Sequence, residues 1–104
     1  MAYSLYRAVT KREYNDILLQ DKHFRCTEWS LEAKQFATTE QCGHYYGKEI
    51  VMRLDKVPYI LLHVVINNQM FINNVLSLDN CTAVSIDKKD LDHFNAAIIS
   101  ISPI

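Results

Sequence analysis

The segment Tyr3-Ser4-Leu5-Tyr6-Arg7-Ala8-Val9-Thr10-Lys11-Arg12-Glu13 reads as a strand running directly into a capped helix. Leu5, Arg7 and Val9 fall on one side of a period-two ribbon, and Tyr6 and Ala8 on the other. Thr10-x-x-Glu13 has the form in which a threonine side chain satisfies an early amide while the glutamate reaches back to cap the start. Tyr14, Ile17 and Leu18 follow at helical spacing, so a short helix is expected over residues 11–20.

The same order recurs downstream. Residues 34–38 read as extended, and Thr38-Thr39-Glu40-Gln41 repeats the capping signature, with either threonine able to cap. A helix of about two turns should follow, stopped by Gly47 in a left-handed conformation. Residues 50–54, 59–66, 71–76 and 82–86 read as strands, with Lys56-Val57-Pro58 and Asn67-Asn68-Gln69 as turns. The Val, Ile and Leu content of 59–66 marks an interior strand covered on both faces. Asp87-Lys88-Lys89-Asp90 opens a short helix carrying Leu91 and Phe94. The apolar tail, 96–104, must pair as a strand or cover an interface with a second copy. Residues 21–30 read as a loop whose strand-like piece is Phe24-Arg25-Cys26-Thr27. The later links are too short for parallel crossovers, so the fold class is α+β, with an antiparallel-rich sheet and two or three short helices.

With 104 residues and 12.1 kDa the chain makes one domain, residues 1–104. A composition of 49% hydrophobic and 22% charged residues, with two glycines and two prolines, excludes disordered and collagen-like classes. A formal charge of -1 gives counterion release no global source, so nucleic acid is not a favoured partner. Cys26, Cys42 and Cys81 are odd in number and lack C-x-x-C spacing, which argues against a disulfide framework and a zinc site and for a reducing compartment. The amino terminus lacks a basic segment followed by an apolar run, and nothing approaches the ~18 apolar residues of a spanning helix. The expectation is a cytoplasmic protein, or one delivered into a target cell's cytoplasm, with no signal peptide and no membrane partner.

His23, His44, His63 and His93 are scattered without metal-binding spacing, and His63 within Leu61-Leu62-His63-Val64-Val65 reads as a core-edge histidine bonded to backbone. A thiol beside a distant histidine would suit a small cysteine-dependent hydrolase, although buried inert thiols are commoner. The glycines, Gly43 and Gly47, lie in the second helix, which excludes Rossmann and P-loop phosphate sites. What remains is a polar and aromatic constellation. Arg7 in an apolar strand is costly to desolvate unless paired, and its always-charged fork suits phosphate, with solvent snorkelling as the alternative. Phe36 and a helical tyrosine, Tyr45 or Tyr46, could sandwich a flat ring, the alternative being core packing of Phe36 and a surface Tyr45.

Ser4-Leu5-Tyr6-Arg7-Ala8-Val9, the capped helix, Ser30-Leu31-Glu32-Ala33-Lys34-Gln35-Phe36-Ala37-Thr38-Thr39-Glu40-Gln41, Tyr45-Tyr46-Gly47 and the late segment of residues 78–87 followed by Asp90-Leu91 together resemble the ADP-ribosyltransferase-like domains of bacterial polymorphic toxins. The resemblance spans most of the chain. It implies NAD as co-substrate, held in a cleft of a split sheet, with a basic first-strand residue near phosphate or ribose and aromatics around nicotinamide. On this sequence Arg7 takes the first role and Phe36 with Tyr46 or Tyr45 the second. Thr38 and Thr39 occupy the strand-to-helix corner, and Ser30 and Lys34 match the approach to it.

The implied chemistry is loss of nicotinamide through an oxocarbenium-like state stabilised by a carboxylate, with transfer of ADP-ribose to a macromolecular acceptor or hydrolysis of NAD. Active members carry a glutamate on a late strand, whereas the last glutamate here is Glu49. Asp87, directly after the strand at 82–86, is the substitute, with helix capping as its other role. A silent domain of the same shape, acting as a protein-interaction module or homodimer, is the alternative.

Overall fold

In the computed structural model, which describes residues 2–24, 33–72, 75–78 and 81–104, the opening segment folds as its alternation dictates. β1 (Tyr3–Val9) turns at Thr10 into α1 (Lys11–Leu19). Thr10 Oγ1 accepts from the Glu13 amide at 3.1 Å, so half of the expected capping box forms. The other half does not: the Glu13 carboxylate is turned to Arg7.

β2 (Ala33–Ala37) leads into α2 (Glu40–Tyr46), capped by Thr39, whose hydroxyl accepts from the Cys42 amide at 3.2 Å. Gly47 does not end this helix, contrary to the sequence expectation. Its φ is -61°, and the chain continues through a π-helical stretch, Gly47–Met52, into α3 (Arg53–Asp55). The strand expected at 50–54 is therefore helical, its β-branched residues overridden by continuation of the helix. Gly47 answers to space instead, because a Cβ there would lie 2.5 Å from the Tyr59 ring. The left-handed stop falls at Lys56, with φ 55°.

β3 (Ile60–Ile66) follows, then a 3-10 turn over Gln69–Ile72, and β4 (Val75–Leu78), so the strand expected at 71–76 begins later than its apolar run suggests. β5 (Cys81–Asp87), a 3-10 turn (Lys88–Asp90), α4 (Leu91–Ala96) and β6 (Ile98–Pro103) complete the order. The apolar tail pairs within the domain, against β3.

The strands form one sheet in the order β4-β5-β2-β1-β3-β6, with antiparallel pairing throughout, and the fold is α+β as expected. Pairing is uneven along it. β1 and β3 match in register from Tyr3 opposite Ile66 to Val9 opposite Ile60, and β2 pairs β5 from Ala33 opposite Asp87 to Ala37 opposite Ala83. Between these blocks β1 and β2 share the single pair Tyr6 and Ala37, so the sheet is nearly split into two three-stranded halves.

Alternation gives the sheet two unlike faces. Leu5, Val9, Phe36, Leu62, Val64, Val84 and Ile86 point to one, where Ile17, Leu91 and an aromatic cluster of Phe24, Phe36, Phe71 and Phe94 close a core. Buried Asn95 on α4 bonds both backbone groups of Phe24, accepting at 2.8 Å and donating at 2.7 Å, which fixes the loop after α1. The other face carries Tyr6, Ala37, Leu61 and Ala83 under α2, which approaches so closely that a Cβ at Gly43 would lie 2.7 Å from Leu61 Cδ1 and 3.0 Å from Tyr6 Cβ.

On that second face Cys42 of α2 is joined to Cys81 of β5 by a disulfide, which corrects the expectation of unpaired thiols. Cysteine parity and spacing carry no information about two residues 39 apart that the fold brings together. Because α2 also rests on β1 and β3 through Gly43, it bridges both halves of the sheet.

Candidate functional site

Arg7 stands where the β1–β2 ladder stops. Its Nη1 donates to the Gln35 carbonyl at 2.9 Å, a side-chain bond across the gap that the backbone leaves. Nε donates to Glu13 Oε2 at 2.7 Å and Nη2 to Oε1 at 3.1 Å, so the guanidinium grips both carboxylate oxygens. Lys34 Nζ lies 3.9 Å from Glu13 Oε1, and the Arg7 guanidinium carbon sits 5.7 Å from the centre of the Phe36 ring.

The cluster is half-sheltered: the Arg7 and Glu13 side chains retain 19% and 27% of their exposure, and that of Lys34 retains 6%. Burial on its own would raise the Glu13 pKa. The Arg7 charge and hydrogen bonds, helped by Lys34, outweigh burial and hold it below the ordinary carboxylate value. Sequence reading assigned Glu13 a capping role alone and gave Lys34 no chemistry. The available signal was the shared side of the ribbon, since Arg7, Lys34 and Phe36 all alternate toward the core face.

The remaining expected site residues are dispersed. Phe36 joins Arg7 but is fully buried against Phe24 and Phe94, with no face open to a ligand ring. Tyr45 and Tyr46 belong to α2 on the opposite face of the sheet, where their rings meet edge to face at 5.8 Å. Thr38 bonds the hydroxyl and the carbonyl of Thr82, tying β2 to β5, while Thr39 caps α2. Asp87 is exposed at the end of β5 and caps the following turn with no side-chain bond. In register it alternates with Ser85 and Ala83, away from the face of Arg7. Ser30, and residues 25–27 of the expected short strand, lie outside the described residues.

His44 and His63 take hydroxyl partners. His63 Nε2 is 2.8 Å from Ser4 Oγ and its ring stacks on Tyr6 at 5.1 Å, rather than bonding backbone as expected. His44 Nδ1 is 2.8 Å from the Tyr59 hydroxyl, beside an open groove lined with Glu40, Gln41, Tyr45 and Lys48. The disulfide removes Cys42 and Cys81 as nucleophiles, and Cys26 lies outside the described residues. Among the described residues no cluster has the His, Cys, Asp and Glu ligands of a metal site, and no helix is long and apolar enough to cross a membrane.

Chemically, the Arg7 fork suits a group offering two oxygens side by side, a place that the Glu13 carboxylate takes. Phe36 does not fit the expected ring-stacking role. Comparison with protein-family models, curated proteins and solved structures finds no match to this chain.

Proposed function

We propose that the chain is a domain of ADP-ribosyltransferase-like architecture that binds NAD where its sheet is split, with Arg7 as the phosphate ligand. The observation that carries the reading is the single Tyr6–Ala37 pair between β1 and β2 with the first-strand arginine beside it. A split sheet with a basic first-strand residue is what the sequence resemblance implies.

Transfer of ADP-ribose or hydrolysis of NAD needs a carboxylate near the ribose, and among the described residues Glu13 is the acid bonded to Arg7, while Asp87 faces away. The reading is therefore of a domain that binds NAD. Isothermal titration with NAD, paired with a nicotinamide-release assay, tests it. Saturable binding lost in Arg7→Ala, with a folded variant, supports the reading. No heat at about millimolar NAD overturns it.

A second reading, a protein-interaction module, is favoured by exposed Ile50, Met52 and Leu54 along the helical run after α2, with exposed Val57 just beyond its end. Retention of a partner by the wild type and its loss on Leu54→Lys, with NAD ignored, would select it.

A further inference from the structure

We propose that Glu13 is a specificity-determining residue of the Arg7 site, an internal anion that a ligand must displace and that restricts the site to phosphate or pyrophosphate groups able to present two oxygens at once. The inference rests on the NAD reading above but is not tied to the nucleoside part of the ligand.

The geometry supplies the reasons. The Arg7 fork is fixed in direction because Nη1 is held by the Gln35 carbonyl, which leaves the Nε and Nη2 edge to face Glu13. Both carboxylate oxygens are used, at 2.7 and 3.1 Å, so a ligand that replaces one bond at a time gains little. Chloride offers one contact and loses the competition. Two non-bridging phosphate oxygens match the fork and carry at least as much charge, which Lys34 beside Glu13 favours. The Arg7 and Glu13 side chains keep partial exposure, so exchange requires movement of the Glu13 side chain and no unfolding. Glu13 is also free to move in a second sense: helix α1 takes its cap from Thr10, so withdrawal of the carboxylate leaves the helix start intact.

The test is titration of the wild type, Glu13→Gln, Glu13→Asp and Arg7→Ala with inorganic pyrophosphate and, separately, with NAD, each variant checked for folding by thermal melt. Glu13→Gln should bind pyrophosphate at least about tenfold more tightly than the wild type, Glu13→Asp should fall between, and Arg7→Ala should bind neither ligand. Equal affinities across the Glu13 series overturn the inference while leaving the NAD reading in place if NAD binds. Tighter pyrophosphate with no NAD binding by any form supports the inference and sinks the NAD reading. No binding of either ligand by any form removes both. Should Glu13→Gln fail to fold, Glu13→Asp decides alone, and unchanged affinity there overturns the inference.

Discussion

The two faces of the sheet are closed by different means. One is filled by a contiguous aromatic and aliphatic core in which Phe36 and Phe94 lie 4.9 Å apart and wholly out of solvent, with one ion cluster at its rim. The other has small residues, Ala37 and Ala83, beneath helix α2, which is held down by close approach at Gly43 and by the Cys42–Cys81 bond. The contrast teaches where stability is concentrated: bulk burial on the first face, and covalent restraint with tight contact on the second.

The sharpest challenge to that contrast is Phe94→Ala. It empties the centre of the aromatic cluster and should cost about 3–5 kcal/mol in urea unfolding. Reduction of the disulfide, or Cys42→Ala, should cost about 2–4 kcal/mol, because the bond closes a long loop in the unfolded chain. A reduced protein with unchanged unfolding midpoint would show that close packing of α2 alone suffices on its face.

Glu13→Gln comes next, at about 1–3 kcal/mol near neutral pH, since it leaves Arg7 and Lys34 sheltered beside a neutral group. The sign with pH follows from the lowered Glu13 pKa. The stabilisation is present above the unfolded carboxylate pKa, about 4.3, and is lost as pH falls through the lower folded value. Wild type and variant should therefore converge in urea melts on acidification from about pH 7 to about pH 3, and a constant gap would deny the ion pair its role. Smallest is Ser4→Ala on the open part of the second face, expected within about 0.5 kcal/mol despite its bond to His63, because the pair is exposed.

The opening strand and the starts of the first two helices were legible in the sequence. The alternation of residues 3–9 and the caps at Thr10 and Thr39 fix β1, α1 and the start of α2, since these are local signals with local causes. The helical run through 50–54 was not, because its β-branched residues argue for a strand and Gly47, which reads as a helix stop, is there to make room for the Tyr59 ring. The candidate site was half legible. Arg7 stands out as a charge in an apolar strand, whereas its partner Glu13 is disguised by a capping motif and Cys42–Cys81 depends on a long-range meeting. Phe36 shares its strand face with Lys34, a charge that hides in the sequence how completely that face is buried.

The one-pair junction between β1 and β2 also bears on how the molecule fluctuates. Amides on the β2-facing side of β1 have little ladder to protect them, so they should exchange with solvent faster than those of the long β1–β3 register, through openings far smaller than global unfolding. Helix α2 spans that junction, resting on Tyr6 and Leu61 at Gly43 and fastened to β5 through Cys42. It thus limits how far the halves can part, and deuterium uptake at the β2-facing amides of β1 should rise when the sulfur bond is cut while the β3–β6 amides keep their protection.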